Sequence, residues 1–315
     1  MLARPVGSSA TPSVLHLTAT RVAATLVGPV ASVERTKTYA APDAAADGFV
    51  VFTPADAPVR QDYTLHVGGR TIAILVRETG EARRLAGDHA IATDADGRIV
   101  VPVGALAPRS RVELGVDTVG VVPWNEGAYE LTVPRAPEGD VAVTVDLHGG
   151  GPIVVVNSPS HTIDAEPASL DHLRVRLREP ERLRDDDFVL RYRVDAAERP
   201  GTLLVEPDGD ATLVALLVHP LERDHEAVAL AGVSIDWGAM QVTDVRPPIV
   251  GPIAAGTPIV VLARVRGAAT GPVTVTARAG REPKTLVVAR DDDPPAASLR
   301  ALPTLWACAD GAARR

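Results

Sequence analysis

The sequence predicts an all-β protein, in which a β-sandwich is followed by a second, composite β-sandwich with little helix. Apolar and polar residues alternate with a period of two along most of the chain, which is typical of half-buried strands. The alternating runs are separated by turn residues drawn from 26 glycines and 27 prolines. Aromatic residues make up only 3% of the chain, so its core must consist mainly of valine, leucine, isoleucine and alanine. Short strands with this punctuation favour packed antiparallel sheets over a parallel α/β sheet.

Length, charge and cysteine content limit the classes of function. The 315 residues suffice for two or three domains with sizeable cores. A net charge of −8 argues against a nucleic-acid partner, and no apolar run reaches the roughly 18 residues of a membrane span. The single cysteine, Cys308, excludes an internal disulfide and a four-cysteine zinc site. Residues 1–17 lack the pattern of a secretory signal, so we expect a cytoplasmic location, with secretion as the alternative.

The first β-domain is predicted over residues 14–137. The residues before it are small and polar and are expected to fray. Gly68 and Gly69 lie between two alternating runs, which predicts a two-residue hairpin turn. Helical spacing predicts one helix, over residues 78–89. The predicted strands cover residues 14–27, 30–39, 49–53, 63–67, 72–76, 99–103, 112–116 and 129–133.

The second β-domain is predicted over residues 138–290. A short charged connection at residues 219–232, which we name the seam, interrupts it. We expect the strands on both sides of the seam to form one composite sandwich, with residues 291–315 as a linker and a short helix within 296–309. The predicted strands before the seam cover residues 141–147, 153–156, 173–177, 188–194, 203–206 and 212–218, and those after it begin at 233, 259, 273 and 286.

Four segments in the first domain resemble a known family in their order and spacing. They are LVGPVASVERTKTY at 26–39, HVGGRTIAILVRETGEA at 66–82, ALAPRSRVELGVDTVG at 105–120 and GAYELTVP at 127–134. In that order they resemble the motifs of the vault protein/inter-alpha-trypsin (VIT) domain, the domain of inter-alpha-trypsin inhibitor heavy chains. Later segments are similar to regions that flank the von Willebrand A domain in bacterial VIT proteins. The resemblance implies that the first sandwich is VIT-like.

The sequence departs from this family at the seam, where relatives carry a von Willebrand A domain. The metal site of that domain needs an Asp-x-Ser-x-Ser motif, and no aspartate here is followed two residues later by serine. We therefore expect no metal-dependent adhesion of the family's kind, no cofactor and no catalytic residues. The partner implied by the resemblance is a protein, with a separate von Willebrand A protein as one option.

Three groups of polar residues are candidate sites. His219, Asp224 and His225 could bind a metal, but a solvated charged loop explains them as well, because no second zincin histidine follows His225. Ser158, Ser160 and His161 lack the nucleophile elbow of a hydrolase, so a hydrogen-bonded turn is the preferred interpretation. The acidic run at 185–187 is interpreted as solubilising charge next to a strand, and Trp237 as a core residue.

Two functional hypotheses follow from the sequence, beside a third possibility that the chain is a natural deletion remnant with no retained partner. The first is a non-catalytic protein-interaction or structural module of the VIT family. The alternative is an accessory or degenerate β-sandwich enzyme with a glycan or metal site at the seam. An ordered pocket that holds His219, Asp224 and His225 together would favour the enzyme, whereas an exposed loop would favour the interaction module.

Overall fold

The computed structural model of the chain confirms an all-β fold, with 60% of residues in strands and 5% in helix. It describes residues 1–9, 11–52, 60–75, 92–93, 99–223, 226–248, 250–292, 294–295, 300–306 and 309. The helix predicted over 78–89 lies outside the described residues. A helix is present at residues 300–306, within the predicted terminal segment. Within the described ranges, no helix is long and apolar enough to cross a bilayer.

Twenty-six strands are formed by the described residues. Those up to the first predicted boundary are β1 (Leu2–Pro5), β2 (Ser13–Val14), β3 (His16–Val27), β4 (Val30–Ala40), β5 (Ala46–Phe52), β6 (Arg60–Val67), β7 (Arg70–Leu75), β8 (Ala92–Thr93), β9 (Ile99–Leu106), β10 (Arg111–Val121), β11 (Trp124–Asn125) and β12 (Ala128–Val133). The next are β13 (Asp140–His148), β14 (Ile153–Asn157), β15 (Ile163–Pro167), β16 (His172–Leu177), β17 (Phe188–Val194), β18 (Gly201–Asp208) and β19 (Ala211–Val218). The last are β20 (Glu222–Arg223), β21 (Glu226–Ala227), β22 (Leu230–Asp236), β23 (Gln241–Arg246), β24 (Ile259–Arg266), β25 (Val273–Ala279) and β26 (Glu282–Val288).

An eight-stranded sheet, the central sheet, has the order β15-β16-β13-β3-β4-β10-β6-β7. The first cover sheet has the order β2-β1-β5-β9-β8 and shares with the central sheet a core that includes Val50, Leu65 and Val112. The second cover sheet, β11-β12-β17-β14, shares with it a separate core around Leu26, Leu147 and Phe188. One sheet therefore supports two sandwich cores along its length.

The strand pairing runs across the boundary predicted at residue 137. Strand β13 pairs in parallel with β3 over nine residues, from Asp140 opposite Ala19 to His148 opposite Val27. Strand β12 pairs with β17 in the second cover sheet. The prolines near residue 137 mark a turn between sheets, and the alternation of apolar residues does not determine which strand becomes the neighbour. Residues 138–194 thus complete the core under the second cover sheet, whereas the sequence predicted them to lie in the composite sandwich.

The third sandwich begins at Gly201 and includes strands from both sides of the seam. Sheet β18-β19-β24-β23 faces sheet β22-β25-β26. Strand β19, before the seam, pairs with β24, after it, from Ala211 to Val218. Leu216, Val261 and Val275 lie in the core between the two sheets. The strands that flank the seam, β19 and β22, therefore contribute to one hydrophobic core.

Strand β19 is buried on both faces, which explains its nearly continuous apolar sequence. Leu216 and Val218 point into the third sandwich. Leu213, Ala215 and Leu217 lie in a further cluster with Val27 and Val30 of the central sheet and with the helix at 300–306, which contributes Ala301, Leu302, Leu305 and Trp306. The third sandwich is thus packed against the central sheet through an apolar layer.

The N-terminal residues form a strand, although the sequence predicted that they fray. Strand β1 pairs with β5 from Leu2 opposite Phe49 to Pro5 opposite Ala46, and Ala3 is buried. The segment is too short to show a period of two, so its pairing depends on the edge that β5 offers. Strands β15 and β23 were also not predicted, because charged residues interrupt the alternation in both and Pro167 does so in β15.

Candidate functional site

Asp146, His148 and His172 form a polar cluster on the outer face of the central sheet. Asp146 and His148 are two residues apart on β13, so they lie on the same face of the strand, opposite the buried Val145 and Leu147. His172 of β16 is directly opposite His148 in the antiparallel register. The backbone pairing therefore brings the three side chains together.

Both imidazoles converge on the two oxygens of one carboxylate. Nε2 of His172 lies 2.8 Å from Oδ1 of Asp146, and Nε2 of His148 lies 3.2 Å from Oδ2. The two rings are stacked, with centroids 4.0 Å apart and an interplanar angle of 18°. In this arrangement each Nε2 donates to the carboxylate, so the hydrogen bonds fix the orientation of both rings.

The cluster is half-buried and its carboxylate is held in the charged form. Burial raises the pKa of Asp146, but the hydrogen bonds and charges of His172 and His148 outweigh it, so the pKa lies below its usual value. The Asp146 side chain is 34% exposed and that of His148 is 20% exposed. Arg174 contributes a further positive charge, with Nε 4.0 Å from Oδ1 of Asp146.

Sequence reasoning missed this cluster. The Asp-x-His pair within an alternating strand was visible, but His172 is 24 residues later, and only the pairing of β13 with β16 places it opposite His148. A polar pair on a strand is otherwise a common feature of a solvated face. One potential metal-ligating atom of each residue, an imidazole nitrogen or a carboxylate oxygen, lies within 4.8 Å of the other two.

His219, the first residue of the seam, lies inside the protein, contrary to the expectation of a solvated loop. It is 3% exposed, and its Nδ1 lies 2.9 Å from the hydroxyl of Tyr129. Burial lowers the pKa of His219 to about 4, because removal from water disfavours the charged imidazolium. Asp224 and His225 lie outside the described residues.

The remaining predicted residues have structural contacts. The Ser158 hydroxyl accepts a hydrogen bond from the backbone amide of His161 at 3.1 Å, and the Ser160 hydroxyl accepts one from Val189 at 2.9 Å. His161 itself is buried, with Nδ1 2.8 Å from the Ser160 hydroxyl. These bonds form the predicted turn, although the imidazole contacts a hydroxyl and not the backbone.

Asp187 and Trp237, the two other candidates from the sequence, also make structural contacts. Asp187 accepts a hydrogen bond from the Arg135 amide at 2.8 Å. Trp237 is partly buried and packs against the core of the third sandwich. Neither contact adds a ligand or a catalytic group to the cluster on the central sheet.

Strand β14 is an edge strand of unusual composition. The triple glycine before it carries the chain from the central sheet to the second cover sheet, where β14 pairs with β17. Its sequence is Ile-Val-Val-Val-Asn, with Val154 50% exposed. Leu170, 81% exposed, lies beside it, since its carbonyl accepts a hydrogen bond from the Ile153 amide at 2.8 Å.

The other edge strands carry the usual protection against pairing with another chain, which is charge or proline. Among the described edge strands of five or more residues, every one except β14 contains a charged residue or a proline. Those protected strands are β7, β15, β18, β22, β23 and β26. A bulge at Val154 is the one irregularity in β14.

Comparison with known proteins gives no family for the chain. A scan against protein-family models finds no match, and a search of curated protein sequences finds none either. A search of solved structures finds, among others, a crystal structure from Legionella pneumophila of a protein provisionally assigned as a nutrient binding protein. The two chains are 9% identical with a TM-score of 0.34, and the match covers 56% of this chain and 66% of that one, just under two thirds of its length. A similarity this low supports no conclusion about fold or function.

Proposed function

We propose that this protein is a non-catalytic interaction module that binds an extended segment of a partner protein along the free edge of β14. The observation that carries the proposal is that β14, alone among the described edge strands of five or more residues, contains no charged residue and no proline. Natural sheet proteins protect open edges because unpaired backbone groups there recruit other strands. An edge left unprotected is suited to strand addition.

The geometry around β14 defines the occupant that would fit. Because the Ile153 amide is already bonded to Leu170, the open part of the edge covers residues 154–157. Backbone groups there would provide affinity, while Val154 and Leu170 would select apolar side chains of the incoming segment. The bulge at Val154 increases the local twist, so we expect one short added strand and not an extended stack of chains.

The resemblance to the VIT family supports the same class of function. In that family the VIT domain accompanies modules of adhesion and of large assemblies, and the proposal assigns this chain the corresponding role of protein association. On this resemblance, the short seam stands where relatives carry the von Willebrand A module, so the partner function of that module would be supplied by another protein. A separate von Willebrand A protein is one candidate partner.

Selection of extended peptides on the immobilised protein tests the proposal. Random decapeptides displayed on phage would be enriched, and the selected peptides measured by fluorescence polarisation against the wild type, Val154→Lys and Val287→Lys. Val287 is the matched control, because it is an exposed valine (57%) on the edge strand β26. A lysine in an edge strand opposes added pairing. We expect at least a tenfold loss of affinity in Val154→Lys and no change in Val287→Lys.

Two outcomes would contradict the proposal. One is a selection that enriches no peptides, and the other is a set of enriched peptides that bind both lysine variants as they bind the wild type. Light scattering over a range of protein concentrations tests whether a second copy of the chain binds the β14 edge. A dimer that Val154→Lys abolishes would show that a second copy occupies the edge in place of a partner.

A further inference from the structure

We propose that Asp146, His148 and His172 bind a divalent transition-metal ion, and that zinc is the ion the site fits best. The inference goes beyond the proposed interaction function and does not depend on it, because the cluster lies on β13 and β16 of the central sheet and not on β14. It also departs from the expectation, based on the missing Asp-x-Ser-x-Ser motif, that the chain has no metal site.

The spacing of the donor atoms is close to that of a zinc site. In tetrahedral coordination with bonds of 2.0–2.1 Å, neighbouring ligand atoms are about 3.4 Å apart. The two Nε2–Oδ distances of the cluster are 2.8 Å and 3.2 Å, and all three donors lie within 4.8 Å of one another. Small side-chain rotations that separate the carboxylate from the two imidazoles, with the proton of each neutral ring carried on Nδ1 so that Nε2 can ligate, would open the site without a change in the pairing of β13 with β16.

The chemistry of the donors selects the class of ion. Two imidazole nitrogens and one carboxylate oxygen suit zinc, copper, nickel or iron, whereas calcium and magnesium prefer sites made of oxygen alone. Three protein ligands leave a fourth position for water or for an external donor. The site could therefore hold a metal with an open position, or it could join this chain to a ligand on another molecule.

The strands hold the three residues of the cluster in place, which distinguishes it from a chance group of surface side chains. All three residues are on paired strands, so their backbone positions are fixed by the sheet register. Their side chains are 20–34% exposed, which reduces competition from bulk water. Arg174 opposes binding, because its guanidinium lies 4.0 Å from Asp146 and would repel the ion.

Zinc titration of the full chain tests the inference. The protein would be treated with a chelator, dialysed, and titrated with zinc by isothermal calorimetry, with thermal melts in parallel, since a ligand of the native state raises its stability. Wild type, His148→Gln, His172→Gln and Arg174→Gln would be compared. His66→Gln is the matched control, because His66 is an exposed histidine on β6, outside the cluster.

We expect one zinc per chain and a higher melting temperature in wild type and in His66→Gln. Binding should be at least tenfold weaker in His148→Gln and His172→Gln, and a few-fold tighter in Arg174→Gln. Calcium and magnesium should cause no shift. Cys308→Ser should bind like the wild type, which excludes the single thiol as the ligand. The visible spectrum of bound Co²⁺ should show a tetrahedral site in the wild type and lose it in both cluster variants.

Two results would overturn the inference: no saturable binding at one ion per chain, or binding that is equal in His66→Gln and His148→Gln. Far-ultraviolet circular dichroism of each variant separates loss of the site from loss of the fold. If a cluster variant is unfolded, the Arg174→Gln titration and the Co²⁺ spectrum of the wild type still decide the question, since absence of both effects contradicts the proposal.

Discussion

The hydroxyl of Tyr129 and Nδ1 of His219 lie 2.9 Å apart and join the second cover sheet to the first residue after β19. Tyr129 in turn stacks on Tyr192, with ring centroids 5.0 Å apart, and the Tyr192 hydroxyl donates to the Gly28 carbonyl at 2.7 Å. Gly28 has a φ of +50°, and a side chain there would meet the His219 ring at 3.3 Å. A buried polar chain thus anchors the third sandwich to the central sheet.

Tyr129→Phe should destabilise the protein by about 1–3 kcal/mol, because the substitution leaves Nδ1 of a buried histidine without its partner. Urea unfolding gives the free energy. A double-mutant cycle with His219→Gln isolates the pair, and the two substitutions together should cost less than the sum of the single effects. Additive costs would show that the hydrogen bond does not couple the two residues.

Stability should fall as the pH falls from about 6.5 towards 4, because burial keeps His219 neutral in the folded state while the unfolded chain takes up a proton. The loss attributable to His219 is on the order of 3 kcal/mol. Arg199, whose charge also lowers this pKa, acts in the same direction. Asp146 contributes in a lower range, since its stabilisation is lost only as the pH falls below the usual aspartate pKa.

Urea unfolding at several pH values checks this dependence. The free energy of unfolding should depend on pH more steeply in the wild type than in His219→Gln, and this difference should be concentrated between about pH 4 and 6.5. Equal slopes for the two proteins across that range would mean that His219 is protonated in the folded state as readily as in the unfolded chain.

Truncation of either face of β19 should be costly. Leu216 is 0% exposed and faces the third sandwich core, and Leu217 is 1% exposed and faces the helix at 300–306. Replacement of each by alanine should cost about 2–5 kcal/mol by urea unfolding. Val287→Ala, at a 57% exposed position, should change stability by less than about 0.5 kcal/mol. A near-neutral Leu217→Ala would show that the apolar layer outside the third sandwich is not closely packed.

Strand positions were predicted well from the sequence where the alternation was clear, but the pairing of strands within the sheets was predicted poorly. The Gly68-Gly69 hairpin is confirmed, since β6 and β7 pair through it and both glycines have positive φ. Strand β13 was recognised from its alternating valines, but its parallel partner β3 is more than a hundred residues earlier in the chain. Alternation reports which face is buried and carries no information about the partner strand.

The sites were harder to predict for the same reason. His219 was judged by the charged residues around it, whereas its burial follows from the position of β12 and of the glycine turns near it. The cluster of Asp146, His148 and His172 depends on a single register between β13 and β16. Contacts set by the register of distant strands were not available to local reasoning.

The seam should accept an inserted domain. Strands β20 and β21 pair, with Arg223 opposite Glu226, so the chain enters and leaves this point at neighbouring positions. A small folded domain inserted with flexible linkers between residues 224 and 225 should leave the circular dichroism of the host unchanged and alter its stability only slightly. The same insertion after Gly201 is the control and should disrupt the fold. Gly201 is closely packed, since a side chain added there would meet the Leu217 carbonyl at 2.1 Å. Unfolding of the seam variant would contradict the expectation.

Hydrogen–deuterium exchange of the protein with and without a selected peptide tests the proposed function most directly. Amides of an edge strand that gain a partner exchange more slowly, because they become hydrogen-bonded. We expect new protection confined to residues 154–157 and their neighbours in β17, and none in Val154→Lys. Protection elsewhere in the chain, with β14 unchanged, would contradict it.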